Sequence, residues 1–177
     1  MLSEAGYEFE VISPPADEMA QGWLTIRELT IWNAARKAAR VSRMMPAAVV
    51  LAADTLVTID GKILGKPKDL EDAVRILRRL SGRAHEVWTA VRINHAAGGR
   101  TQSFHEMSRV HFRKLDDQAV RNYLAKIDPL DKAGAYAAQG HGSELIERID
   151  GSYSNVIGLP MERTTGALRA FGVTASK

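Results

Sequence analysis

Tyr7, Phe9 and Val11 alternate with Glu8 and Glu10, which predicts a half-buried strand that Pro14 and Pro15 bring to an end. Residues 2–5 before Gly6 read as a last helical turn with its glycine cap. Residues 25–41 are rich in Ala, Arg and Leu without Gly or Pro, predicting a helix whose apolar stripe is incomplete. Residues 47–53 form an unbroken apolar run of strand length, the mark of a strand buried on both faces, and it stops at Asp54. Residues 55–59, the Asp60-Gly61 pair and residues 62–64 predict a tight hairpin, with Gly65-Lys66-Pro67 irregular after it. Asp69 is placed to cap a helix with Leu70, Ala73, Val74, Leu77 and Leu80 inward and Gly82 as its stop.

Residues 85–94 place Val87, Thr89, Val91 and Ile93 on one side of a strand, and residues 96–99 turn it into a second strand over residues 100–112. Asp116 caps a helix to about residue 126, with Ala119, Val120, Tyr123 and Leu124 inward, ended by Asp128-Pro129. A glycine-rich loop, a strand over 144–149, an irregular stretch over 151–160 and a closing helix over 161–171 complete the pattern. Strands interleaved with helices predict an α/β fold, and the 177 residues show no repeat or low-complexity linker, so one domain over 1–177, whole or in two lobes, is expected.

Composition narrows the function classes. With 24 basic and 21 acidic residues the net charge is +3, no basis for a dedicated nucleic-acid binder. The absence of cysteine removes disulfides, thiolate metal ligands and a cysteine nucleophile, and fits a reducing, cytoplasmic setting. No apolar run approaches membrane-spanning length, so no membrane partner is expected. The histidines at 85, 95, 105, 111 and 141 have no metal-binding spacing, and both the P-loop and the G-x-G-x-x-G patterns are missing.

Candidate chemistry gathers in the irregular segments. An aspartate where an apolar strand ends has rigid support and solvent access, which suits Asp54 to hold a water or a cation; capping a turn explains the same residue equally well. Lys66, between Gly65 and Pro67, has a constrained backbone that would aim its ammonium at a phosphate, although a lone lysine is more often simply solvated. Ser81-Gly82-Arg83 offers a guanidinium for an anion, with a helix stop and a surface arginine as the plainer account. In residues 132–140, glycines permit close backbone approach, and Tyr136 and Gln139 offer a ring and an amide to a nucleobase; a packed tyrosine in a plain loop is the alternative.

The blocks AADTLV (52–57), DGKILGKPKD (60–69), LRRLSGRAHEVWTAV (77–91), DKAGAYAAQG (131–140) and IDGSYSNVIGLP (149–160) resemble, in order and spacing, the Maf family of nucleoside triphosphate pyrophosphatases. The resemblance runs from about residue 6 to the C-terminus and includes the Asp17-Glu18 loop and Lys37. It implies a mixed sheet with flanking helices, related to inosine triphosphatase folds, in two lobes around a central cleft, and commonly a homodimer. The implied reaction cleaves a nucleoside triphosphate to the monophosphate and pyrophosphate with Mg²⁺ or Mn²⁺. Asp54 matches the proton acceptor, Lys37 and Lys66 the lysines at the phosphates, Glu18 with Asp54 the metal site, and Thr55 and Gln139 the positions tied to substrate choice. The Asp-Thr and Gln-Gly pairs resemble the branch acting on dTTP and UTP more than the branch acting on 7-methyl-GTP. Family members open with a strand and an S-x-S-P-R-R loop, and this sequence is expected to start just beyond it. That departure favours the rival expectation, a non-catalytic nucleotide-binding or cell-division regulatory protein.

Overall fold

The computed structural model describes residues 1–13 and 24–176. Helix α1 (Ile26–Met44) opens with a capping box: Thr25 Oγ1 accepts from the Glu28 N–H at 3.3 Å, and Glu28 accepts from the Thr25 N–H at 2.9 Å. Strand β1 (Val49–Ile59) and strand β2 (Lys62–Leu64) form the hairpin, in antiparallel register with Val57 opposite Leu64 and Ile59 opposite Lys62. Its two turn residues, Asp60 and Gly61, have φ of 55° and 70°, the paired left-handed geometry of a two-residue hairpin and the reason for the Asp-Gly sequence. Helix α2 (Leu70–Leu80) is capped by Asp69, whose carboxylate accepts from the Asp72 N–H at 2.7 Å.

Strands β3 (Ala84–His95) and β4 (Arg100–Phe112), helix α3 (Asp117–Leu124), strand β5 (Ile146–Asp150) and helices α4 (Tyr153–Val156) and α5 (Met161–Ala170) follow, with short 3₁₀ turns at Ala133–Ala135 and Gly140–Glu144. The strands form one five-stranded sheet in the order β2-β1-β3-β4-β5, and β4 and β5 are antiparallel with Arg109 opposite Asp150. The α/β architecture expected from the pattern, a sheet flanked by helices, is therefore the one observed.

The chain divides into two compact units. The first comprises Met1–Thr55, Thr89–Glu106 and Gly158–Lys177, and the second Leu56–Trp88 and Met107–Ile157. The first unit has its own core, in which Tyr7, Val91, Ile93, Phe104, Leu168 and Phe171 are buried. The second is centred on Leu77, Leu80, Val87, Val110, Tyr123 and Leu145. Val87, Thr89, Val91 and Ile93 are all buried, as the alternation along β3 predicts.

Four local expectations need correction. Residues 7–11 form no strand: Tyr7 is buried, but Phe9 and Val11 are exposed, so the period-2 pattern there has only one core contact behind it. The apolar run at 47–53 does not end before Asp54, because β1 continues through Asp54 to Ile59 and the carboxylate sits in mid-strand. Leu70 lies outside the inner face of α2 and is exposed, since it is the first residue of the helix and the packed face begins at Ala73. The stretch 151–160 is not wholly irregular: Ser152 Oγ accepts from the Asn155 N–H at 3.2 Å and starts α4.

Candidate active site

Alternation along β1 turns Leu51 and Ala53 toward the core of the first unit and Asp54 the other way, toward α1. On α1 the residues facing it are spaced four apart, Asn33 and Lys37, so a single helical face supplies both donors. Lys37 Nζ donates to Asp54 Oδ1 at 2.6 Å, and Asn33 Nδ2 donates to Asp54 Oδ2 at 3.2 Å. Asp54 is 5% exposed and the Lys37 side chain 29%, so the carboxylate lies on the protein side of the pair and the ammonium on the solvent side. A carboxylate buried to this degree is tolerable only with such partners. The incomplete apolar stripe of α1 now has a cause, because its buried residues include the polar Thr30, Asn33 and Ser42, of which Asn33 meets Asp54.

Thr55, the next residue, points to the opposite face of the strand and shares a 2.9 Å hydrogen bond with Thr89 on β3. The structure brings the sequence candidates Asp54 and Lys37 together and adds Asn33 to them, while the candidate Thr55 meets Thr89; neither Asn33 nor Thr89 was a site candidate from the sequence. The spacing of Asn33 and Lys37 within a predicted helix was the available signal for the first; Thr89 read only as an inward-facing strand residue.

In the second unit the Gly65-Lys66-Pro67 segment and the glycine-rich loop are tied together, with the Gly134 N–H donating to the Gly65 carbonyl at 3.1 Å. Lys66 is exposed, and its positive charge, after the hydrogen bond from Lys132, helps to hold the Asp131 carboxyl below the usual carboxylate range. Gln139 is exposed at the start of the 3₁₀ turn Gly140–Glu144. Tyr136 does not present its ring to a ligand. It is buried, its hydroxyl 2.7 Å from His85 Nε2, so the packed-tyrosine alternative is the correct one. Arg83 is likewise committed, donating to Asp60 at 2.6 Å, and Ser81 Oγ accepts from the Leu115 N–H at 2.7 Å, which makes Ser81-Gly82-Arg83 a helix stop with a surface ion pair. Asp17 and Glu18 lie outside the described residues.

Among the described residues no three His, Asp or Glu side chains cluster as a metal site. The Asp54 carboxylate nevertheless fits a hard cation: two of its roughly four lone-pair positions are taken by Lys37 and Asn33, and Mg²⁺ on a polyphosphate needs only one or two carboxylates from the protein. Among the described residues no helix is long and apolar enough to cross a membrane.

The family model described as Maf-like protein matches residues 1–171. A dTTP/UTP pyrophosphatase of Pelotomaculum thermopropionicum is 42% identical over 172 residues, covering 97% of this chain and 90% of the relative. One from Syntrophomonas wolfei subsp. wolfei is 47% identical with 97% and 91% covered, and one from Bacillus pumilus 39% identical with 98% and 91% covered.

Proposed function

The chain belongs to the Maf family, and from that premise we propose that it hydrolyses dTTP- and UTP-type nucleoside triphosphates to the monophosphate and pyrophosphate. The observation that carries the proposal is the buried Asp54 carboxylate, with one oxygen on the Lys37 ammonium and the other on the Asn33 amide. The relatives named for this activity support the substrate class.

In this reading the Asp54 carboxylate takes a proton from a water molecule, and the resulting oxygen bonds to the α-phosphorus. The bond from that phosphorus to the α,β-bridging oxygen breaks, and pyrophosphate leaves. Lys37 holds the carboxylate in place, and its ammonium is the positive charge that the family resemblance assigns to the phosphates. Asn33 locks the second oxygen, so the carboxylate does not rotate away from the water. Lys66 and Gln139 keep the roles that the family resemblance gives them, phosphate charge and base selection, and Thr55, held by Thr89, shares the second. Asp54, with Glu18, would hold the divalent ion, Mg²⁺ or Mn²⁺, which supplies charge neutralisation on the triphosphate when bound. A homodimer in the cytoplasm is the corresponding assembly and setting.

The test is product analysis with dTTP, UTP and Mg²⁺. Pyrophosphate and nucleoside monophosphate in equal amounts are expected, and release of orthophosphate in their place would overturn the assignment.

A further inference from the structure

A buried group of three rings in the second unit takes no part in the chemistry above. His85, at the start of β3, is 2% exposed and Tyr136 6%, and His85 Nε2 lies 2.7 Å from the Tyr136 hydroxyl. Both rings meet Phe112 and each other edge to face, with centroids 4.9, 5.0 and 5.3 Å apart. His85 Nδ1 is buried without a partner. An imidazolium would therefore place an unpaired charged N–H among apolar neighbours, and the ring is held neutral. Burial, assisted by the nearby His111, pushes its pKa down to about 4. Burial also pushes the Tyr136 phenol well above its usual range, so the pair is neutral on both sides.

What this pair holds is a bend. Gly134 and Ala135 both have positive φ, 75° and 61°, a geometry that alanine adopts only where its surroundings impose it. The Tyr136 ring packs so closely over the bend that a Cβ on Gly134 would lie 3.2 Å from it. The Ala137 N–H donates to the Tyr123 hydroxyl at 2.9 Å and the Gly134 N–H to Gly65, so the segment is anchored at both ends while the His85 bond fixes its middle. Gln139 follows three residues after Tyr136.

We propose that His85 and Tyr136 are positioning residues for base selection: their hydrogen bond fixes the bend at residues 134–137 and thereby the place of Gln139, which discriminates the base of the triphosphate. The inference rests on the pyrophosphatase reading and extends it to residues that touch no reacting atom.

Tyr136→Phe removes one hydroxyl and keeps the ring. Loss of one neutral hydrogen bond predicts a KM for dTTP raised about 3- to 10-fold and a dTTP-over-dCTP preference reduced by a similar factor, with kcat within about twofold. His85→Gln, which keeps a hydrogen-bonding group opposite the hydroxyl, should retain more of the preference than His85→Leu, and it replaces Tyr136→Phe as the test should that variant fail to fold. Hydrogen exchange of the amides of residues 134–139 in nucleotide-free protein should quicken in Tyr136→Phe. A wild-type preference and KM in Tyr136→Phe, unchanged exchange, or a fall confined to kcat would each overturn the proposal, whatever the melting temperature does. Failure of the underlying reading is distinguishable, because it shows in the wild-type protein, which would then release no pyrophosphate from any triphosphate.

Discussion

Asp54 is buried but not isolated, and the asymmetry of its surroundings defines what it can do. Its partners come from one turn of α1, so rotation of the carboxylate would break the bonds to Lys37 and Asn33 together. Substitution by asparagine preserves the shape and removes the proton acceptor. Asp54→Asn is therefore expected to lower kcat by about 10²- to 10⁴-fold, the usual range for loss of a general base, with a much smaller change in triphosphate affinity. Steady-state kinetics with calorimetric binding of a non-hydrolysable dTTP analogue measures both quantities, and an active Asp54→Asn would remove this residue from the role of base.

The elements give the site its rigidity. Strand β1 carries Asp54 and Thr55 to opposite faces, where α1 and β3 supply their partners, and in the second unit the Gly134 N–H ties its loop to Gly65. The bend at Gly134 is the least tolerant of these supports, because an added Cβ would lie 3.2 Å from the Tyr136 ring and 3.3 Å from Val57, at a φ that side chains rarely adopt. Gly134→Ala should cost about 1–3 kcal/mol of stability, read as a lower urea midpoint with an unchanged m-value. A wild-type midpoint would show that the loop rearranges freely. By contrast, capping of α2 by Asp69 and the Asp60-Gly61 turn are local devices that work without reference to the rest of the chain.

For the molecule as a whole, the buried His85 links stability to pH. In the folded protein it accepts a proton only near pH 4, whereas its ordinary value is 6.5, so between these values the unfolded chain binds more protons. Stability is therefore lost as pH falls from 6.5 toward 4, on the order of 3 kcal/mol from this residue when the interval has been crossed. Denaturant titrations at pH 7 and pH 4.5 should show a smaller acid loss in His85→Gln than in the wild type; equal losses would mean that His85 is not the group responsible. What the amino-acid order determined by itself was local: the helix over α2 with its aspartate cap, the hairpin turn, the inward face of β3, and motif blocks specific enough to identify the family. The first three depend on neighbours within a few residues, through backbone dihedrals, caps and side-chain periodicity. Only the tertiary structure decided that Asp54 lies within a strand and not at its end, that Asn33 shares its carboxylate, and that Tyr136 turns away from solvent to meet His85, 51 positions earlier in the chain. Such pairings are selected by burial, where a polar group must find a partner wherever packing provides one, and no local pattern encodes which partner that will be.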